Sequence, residues 1–349
     1  MAAMTSLQRS LCAIDFQTPD RVPVIPQTHI WAEYNYGSSS DELMYDGKRY
    51  AEIQIQAQRD FGWDGIFVAT DSVALAQSLG LEVFFTDLGA APTPDGILHS
   101  LAEVDELELI DPRTTRLNEW IIATRILAEA LGDEVLIIAR ADQGAFSLAA
   151  QLRGMQDFLL EVGYGKEEEQ IHKLLRFCNR YILSFAELLM AAGAHVVTIG
   201  DALASGSLIS PKTYERYAFP YHHELAAAIR ARGGKLSIHV CGKTNHVIGR
   251  LADTGAHIVE FDSMTDFDAA CAAARGKTCL LGNVDVSEVI TFGTRTRVEE
   301  ECRRRLQSVI PNSGYILSSG CAISPNAPAD NLRAMVECAQ QYGQYPTHS

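Results

Sequence analysis

The sequence predicts an α/β protein built as a (β/α)8 TIM barrel with an N-terminal helical extension and an insertion after the second strand. Three observations carry this. Short apolar runs rich in β-branched residues recur eight times, most followed by a stretch of helical periodicity that ends on glycine. The runs are apolar throughout rather than alternating, which is the pattern of strands covered on both faces of a parallel sheet. Polar and sulfur-bearing residues collect just beyond the runs, at the end of the barrel where functional residues gather.

In order, the strand runs are Pro23–Gln27, Gly65–Ala69, Val135–Arg140, His195–Gly200, Lys235–Val240, His257–Asp262, Cys279–Val284 and Tyr315–Ser319. Helical patterns cover Asn118–Leu131, Lys166–Ala192, Pro220–Arg232, Thr244–Thr254, Asp266–Ala274 and Thr296–Val309. Ahead of the first strand, MAAMTSLQRSLCAID reads as an amphipathic helix, with neither the basic nor the apolar region of a secretory leader. Leu81–Thr86 reads as an extra strand within the insertion, and the turn-rich LGAAPTPDG follows it. The insertion either covers the barrel mouth or lies as an ordinary surface loop. No linker or low-complexity tract divides the chain, so residues 1–349 are expected to form one domain.

Composition narrows the function. Hydrophobic residues make up 47% and charged residues 21%, which suits a globular chain with a large core. The net charge is −15, and the cluster Arg303-Arg304-Arg305 shares its helix with Glu299, Glu300 and Glu301, so nucleic acid is not an expected partner. No run approaches the eighteen apolar residues of a membrane span. The eight cysteines are scattered without closely spaced pairs, which fits a reducing, cytoplasmic setting.

The strand ends supply the chemistry. His239 and Cys241 stand two apart at the end of the fifth run and so project from one face. Eighty residues on, YILSSGC delivers Cys321 in the same way. One imidazole and two thiolates suit zinc, and three protein ligands leave a fourth position open. The other strand-end residues are Gln27, His29, Thr70, Asp71, Arg140, Asp142, Asp201, Asp262, Asn283, Asp285, Ser318 and Ser319. Several have a structural alternative: Asp142 and Asp201 as caps of the helices that follow, Asp262 as an acceptor for His239 or a loop carboxylate, Asn283 and Asp285 as shapers of a loop. His246 and His257 read as helix-face and strand-entry residues rather than ligands.

The stretches HVCGKTNHVIGRL, LLGNVD and SSGCAISPNAPADNLRAMVE resemble the uroporphyrinogen decarboxylase superfamily, in the zinc-dependent corrinoid methyltransferase branch typified by methylcobamide:coenzyme M methyltransferases. The resemblance runs from Asp20–Val24 to the last helix and is most specific from Lys235 onward. It implies that His239, Cys241 and Cys321 ligate zinc. The chain departs from the decarboxylases themselves in having no Arg between Arg21 and Arg49, so a substrate with many carboxylates would lack cationic partners there. IPQTHIWAEYNY instead offers Gln27, His29, Trp31, Tyr34 and Tyr36, an aromatic and polar wall for a smaller ligand.

The resemblance implies methyl transfer between a corrinoid and a small-molecule thiol or similar acceptor. The opposite direction, demethylation of a methoxylated or methylated small molecule by Co(I) corrinoid, would need a proton donor, for which His29, Tyr34 and Tyr36 are candidates. Asp201 and Asp262 are further catalytic candidates, and Gln27, Tyr36, Asp71, Arg140 and Asn283 are candidates for substrate contact. A zinc-stabilised binding protein closed by Asp201, Glu260 or Asp262, and a metal-free decarboxylase-like enzyme using Asp71, are the other readings. No D-x-H-x-x-G sequence is present to hold cobalt, so the corrinoid is expected from a separate corrinoid protein or as free cobalamin, docking over the mouth near Leu81–Gly96. A homodimer is compatible with all of these readings.

Overall fold

The computed structural model describes residues 4–69, 71–86, 89–309 and 312–345; Thr70 lies outside them. Its strands are β1 (Gly65–Val68), β2 (Val83–Thr86), β3 (Gly89–Pro92), β4 (Leu136–Gln143), β5 (Val196–Gly200), β6 (Leu236–Val240), β7 (Ile258–Phe261), β8 (Cys279–Val284) and β9 (Tyr315–Ser319). Seven of them form a parallel, curled sheet in the order β1-β4-β5-β6-β7-β8-β9, with helices around it. β2 and β3 pair antiparallel as a separate hairpin in the insertion.

Pro23–Gln27 corrects the expectation of eight ladder strands. Pro23 and Pro26 have no N–H to donate, so a continuous ladder cannot form, and only Val24 bridges β9, at Leu317. The segment nevertheless closes the sheet. On one side Leu317 N–H donates to Pro23 O and Ile25 N–H to Leu317 O, both at 2.9 Å; on the other Asp64 N–H donates to Val24 O at 2.8 Å. A buried carboxylate secures the joint: Asp64 accepts from Val24 N–H (2.8 Å), Ser6 Oγ (2.7 Å), Arg9 Nη1 (2.7 Å) and Arg21 Nη1 (2.8 Å). The result is a TIM-barrel-like fold.

Two cores stack on the strands. Inside the curl, Ile25, Phe67, Leu136, Ile138, Val196, Ile258, Leu281 and Ile316 pack with Ala13 and Ile14 of the N-terminal helix Ser6–Ile14. That helix plugs the amino end of the barrel, held by a capping box between Thr5 and Gln8. The larger core lies between sheet and outer helices. Above the inner plug the interior turns polar at Thr198, Ser237 and Glu260, all buried.

Other boundaries also differ. β4 runs past Arg140 to Gln143 with a register break, and Asp142 there takes a left-handed φ of 62°. The aromatic segment after Gln27 folds as the helix His29–Asn35, and the pattern at Thr244–Thr254 shortens to Ile248–Ala252. No helix among the described residues is long and apolar enough to cross a membrane.

Candidate metal centre

His239, in register with Gly200 of β5 and Glu260 of β7, is the penultimate residue of β6, which ends at Val240. Cys241 follows at once, and Gly242 turns the chain away at φ 75°, a conformation that costs glycine little. Cys321 follows Gly320 beyond β9. His239 Nε2 lies 2.8 Å from Cys241 Sγ and 3.9 Å from Cys321 Sγ, and the two sulfurs are 3.8 Å apart. The three donor atoms thus lie within 4.8 Å of one another, close enough to share one ion. Burial opposes charge on His239, but the cysteine sulfurs beside it raise its pKa. A hydrogen bond from Cys241, then one with His239, draws Cys321 well below the ordinary thiol value, while Cys241 is pushed up.

Glu260 lies on the far side of that ring. Its Oε1 accepts from Thr198 Oγ1 (2.5 Å) and Ser237 Oγ (2.6 Å), and its Oε2 stands 3.4 Å from His239 Nδ1. Burial favours the neutral carboxyl, but His239 and the two hydroxyls outweigh it and lower the pKa. Glu260, rather than Asp262, thus faces His239. The visible signal was a lone carboxylate in the apolar run IVEF.

The remaining candidates divide into two groups. Gln27, His29 and Arg140 stay with the polar interior. Gln27 Nε2, His29 Nδ1, Arg140 Nε and Ser318 Oγ are buried without a hydrogen-bond partner. Gly200 makes room for Arg140: a Cβ there would stand 1.8 Å from Arg140 Nη2. Burial, reinforced by Arg140, lowers the His29 pKa to about 3, so its ring is neutral.

The others are committed elsewhere. Asp201 accepts from Ser147 N–H (2.8 Å) and Oγ (2.5 Å) and meets His222 Nε2 at 2.8 Å, so it caps the preceding helix Ala145–Arg153 rather than a following one. Asp71 is paired with Arg116 at 2.5 Å, with both side chains almost fully buried. Asn283 donates to Asp262 O and Thr265 O and accepts from Arg305, which makes it a loop shaper. Asp262 accepts from Gly242 N–H and Met264 N–H, both at 3.0 Å. Tyr36 hydrogen-bonds Asp60 at 2.6 Å on the helix Gly47–Phe61. Tyr34 is five positions beyond His29 on one helix, hence about 140° around it. The insertion does reach the mouth: Pro92, Thr93 and Pro94 line a cleft of about 330 Å³ with Gln143, Ala202 and Leu203 from the ends of β4 and β5.

Fold and donor set together define a TIM-barrel-like protein with a soft-metal candidate site at the carboxyl ends of its strands. The chain belongs to the uroporphyrinogen decarboxylase (URO-D) family, whose sequence model matches residues 5–342. Among its relatives, the methylcobamide:CoM methyltransferase of Methanosarcina mazei is 27% identical over 351 residues, covering 98% of this chain and 99% of its own. A uroporphyrinogen decarboxylase of Chlorobaculum parvum is 26% identical over 300 residues, 83% of each chain. A solved methyltransferase structure from Methanosarcina mazei superposes with a TM-score of 0.88 at 20% identity, over 97% of this chain and 99% of that one, and so shares the fold.

Proposed function

We propose that the chain is a zinc-dependent methyltransferase that moves a methyl group from a corrinoid, carried by a separate protein or free, to a small-molecule thiol. The observation that supports this most is the His239–Cys241–Cys321 donor set in a chain that matches methylcobamide:CoM methyltransferases along nearly its whole length. In the reaction a C–S bond forms, the Co–C bond breaks, and its electron pair stays on cobalt as Co(I).

The donor set fits zinc in chemistry, and the 3.8 Å between the two sulfurs is the separation of two thiolates on one tetrahedral ion. Held by His239 Nε2 and the sulfurs of Cys241 and Cys321, zinc would supply a Lewis acid that keeps an acceptor thiol deprotonated at neutral pH. Arg140, whose Nε lacks a partner, would receive the anionic end of the acceptor. Gln27, neutral His29 and Ser318 would orient its polar atoms. The acceptor side is favoured over demethylation because neutral His29 is a poor acid and the Tyr36 hydroxyl is bound to Asp60. A decarboxylase of polycarboxylates is disfavoured because the two arginines that flank the segment after Gln27 are paired with carboxylates, Arg21 with Asp64 and Arg49 with Glu52, which leaves Arg140 as the cation of the polar interior for substrate.

The test is the absorbance of methylcobalamin mixed with the zinc-loaded protein and a panel of thiols, beside a chelated control. Zinc-dependent loss of the methyl-cobalt spectrum with one thiol is expected. No change with any thiol, combined with methylation of added Co(I) corrinoid by a methoxylated compound, would reverse the direction.

A further inference from the structure

We infer that Glu260 is a positioning residue for the metal centre: its carboxylate holds the proton on His239 Nδ1 and thereby presents Nε2 to the two cysteines. This rests on the metal reading above and adds a residue to it. The two nitrogens of an imidazole lie on opposite sides of the ring, so a carboxylate 3.4 Å from Nδ1 stands apart from the three-atom set that gathers at Nε2. Glu260 therefore acts on the donor rather than beside it.

The choice of tautomer follows from which atoms lack partners. His239 Nδ1 and Glu260 Oε2 are both buried, and neither has another hydrogen-bonding group within reach. At 3.4 Å the two are in ion-pair contact and not hydrogen-bonded, and a proton on Nδ1 makes each the other's nearest complementary partner. A proton on Nε2 would leave two acceptors facing each other in a site that water does not reach, and an unsatisfied buried polar group is costly.

The carboxylate is held in turn. Thr198 and Ser237, neighbours in register on β5 and β6, both give their hydroxyl protons to Oε1. Only Oε2 is left for the histidine. All three side chains are essentially inaccessible, so the arrangement cannot be replaced by solvent. A fixed negative charge on Glu260, behind the ring, makes Nε2 a better electron-pair donor to an ion held with the two sulfurs. A carboxylate behind a metal-binding histidine commonly contributes 10- to 100-fold in metal affinity.

The experiment compares the full-length wild type with Glu260→Gln, Glu260→Leu and Thr198→Val. Zinc affinity is read by competition with a chromophoric chelator, thermal melting of the metal-free proteins shows that each is folded, and nitrogen-15 NMR of metal-free protein reads the His239 tautomer. Glu260→Gln is expected to bind zinc roughly 10-fold more weakly and Glu260→Leu about 100-fold, with Thr198→Val close to the Gln variant and the wild-type ring protonated on Nδ1. Unchanged zinc affinity in folded Glu260→Gln, or a wild-type ring that in its neutral form carries its proton on Nε2 and none on Nδ1, would overturn the inference while leaving the metal reading intact. Failure of the wild type itself to bind one zinc would instead remove the reading beneath it. Should the Leu variant not fold, the isosteric Gln variant carries the test.

Discussion

Val24 and Asp64 are hydrogen-bonded to each other twice: Val24 N–H donates to the Asp64 carboxylate and Asp64 N–H to the Val24 carbonyl, each at 2.8 Å. The same carboxylate pairs with both Arg9 and Arg21, so one side chain joins the N-terminal helix, the closing segment and the entry to β1. Asp64→Ala leaves Arg21 without a carboxylate partner and Arg9 with Asp20 alone. The expected loss is about 3–5 kcal/mol, read as a lower urea midpoint; a loss under about 1 kcal/mol would show that the closing segment is held by packing alone.

Removing either sulfur should abolish binding and chemistry together. Cys241→Ala and Cys321→Ala are each expected to lower the zinc content of purified protein from about one per chain to less than about a tenth, and methyl transfer in proportion, since a site of two protein ligands binds weakly. Full metal with full rate in either variant would exclude that cysteine from the centre.

Arg140 offers a split between substrates. Hydrogen bonds to charged groups contribute about 1.5–3 kcal/mol, so Arg140→Gln should raise KM for an anionic thiol roughly 10- to 100-fold and leave a neutral thiol of similar size nearly unaffected. Equal losses for both thiols would point to disruption of the mouth instead.

Asp142 should make stability depend on pH in an unusual direction. Burial, then the neighbouring Asp71, raises its pKa from 3.8 to about 7, so the fold favours the protonated carboxyl. That stabilisation is complete below pH 3.8 and is lost as pH rises through 7. Asp142→Asn cannot ionise and suits the left-handed backbone there. It should match wild type near pH 4 and exceed it at pH 8 by about 2 kcal/mol, below the ceiling of about 4 kcal/mol that the displaced pKa allows. A constant difference at both pH values would remove Asp142 as the cause.

Much of the architecture could be read from the chain because the parallel strands are continuous apolar runs; Lys235–Val240 and Cys279–Val284 contain β6 and β8 almost end to end. The closing segment misled because its β-like contacts depend on Leu317 and Asp64, residues remote in sequence, while its own prolines forbid a ladder. GAAP of β3 has little strand character and is a strand only because Val83–Thr86 lies opposite. At the site, His239, Cys241 and Cys321 were visible because they sit at strand ends. Glu260 was not assigned to His239 because its three partners come from two other strands, and spacing along one chain does not show register between strands. Asp201 and Asp71 looked available for the same reason: Ser147 and Arg116 belong to other units of the barrel.

Asp262 and its neighbour hold a last consequence. The Asp262 carboxylate takes the N–H of Gly242, beside one sulfur. The backbone of Asp262 and Ser263 presses so closely on Gly320, beside the other, that a Cβ there would stand 2.7 Å from Ser263 N. A loop that contributes no donor atom thus acts as a calliper between the two thiols. A substitution such as Gly320→Ala would widen the jaws without touching any of the three donor residues, and so change the spacing of the candidate centre while its chemistry stays the same.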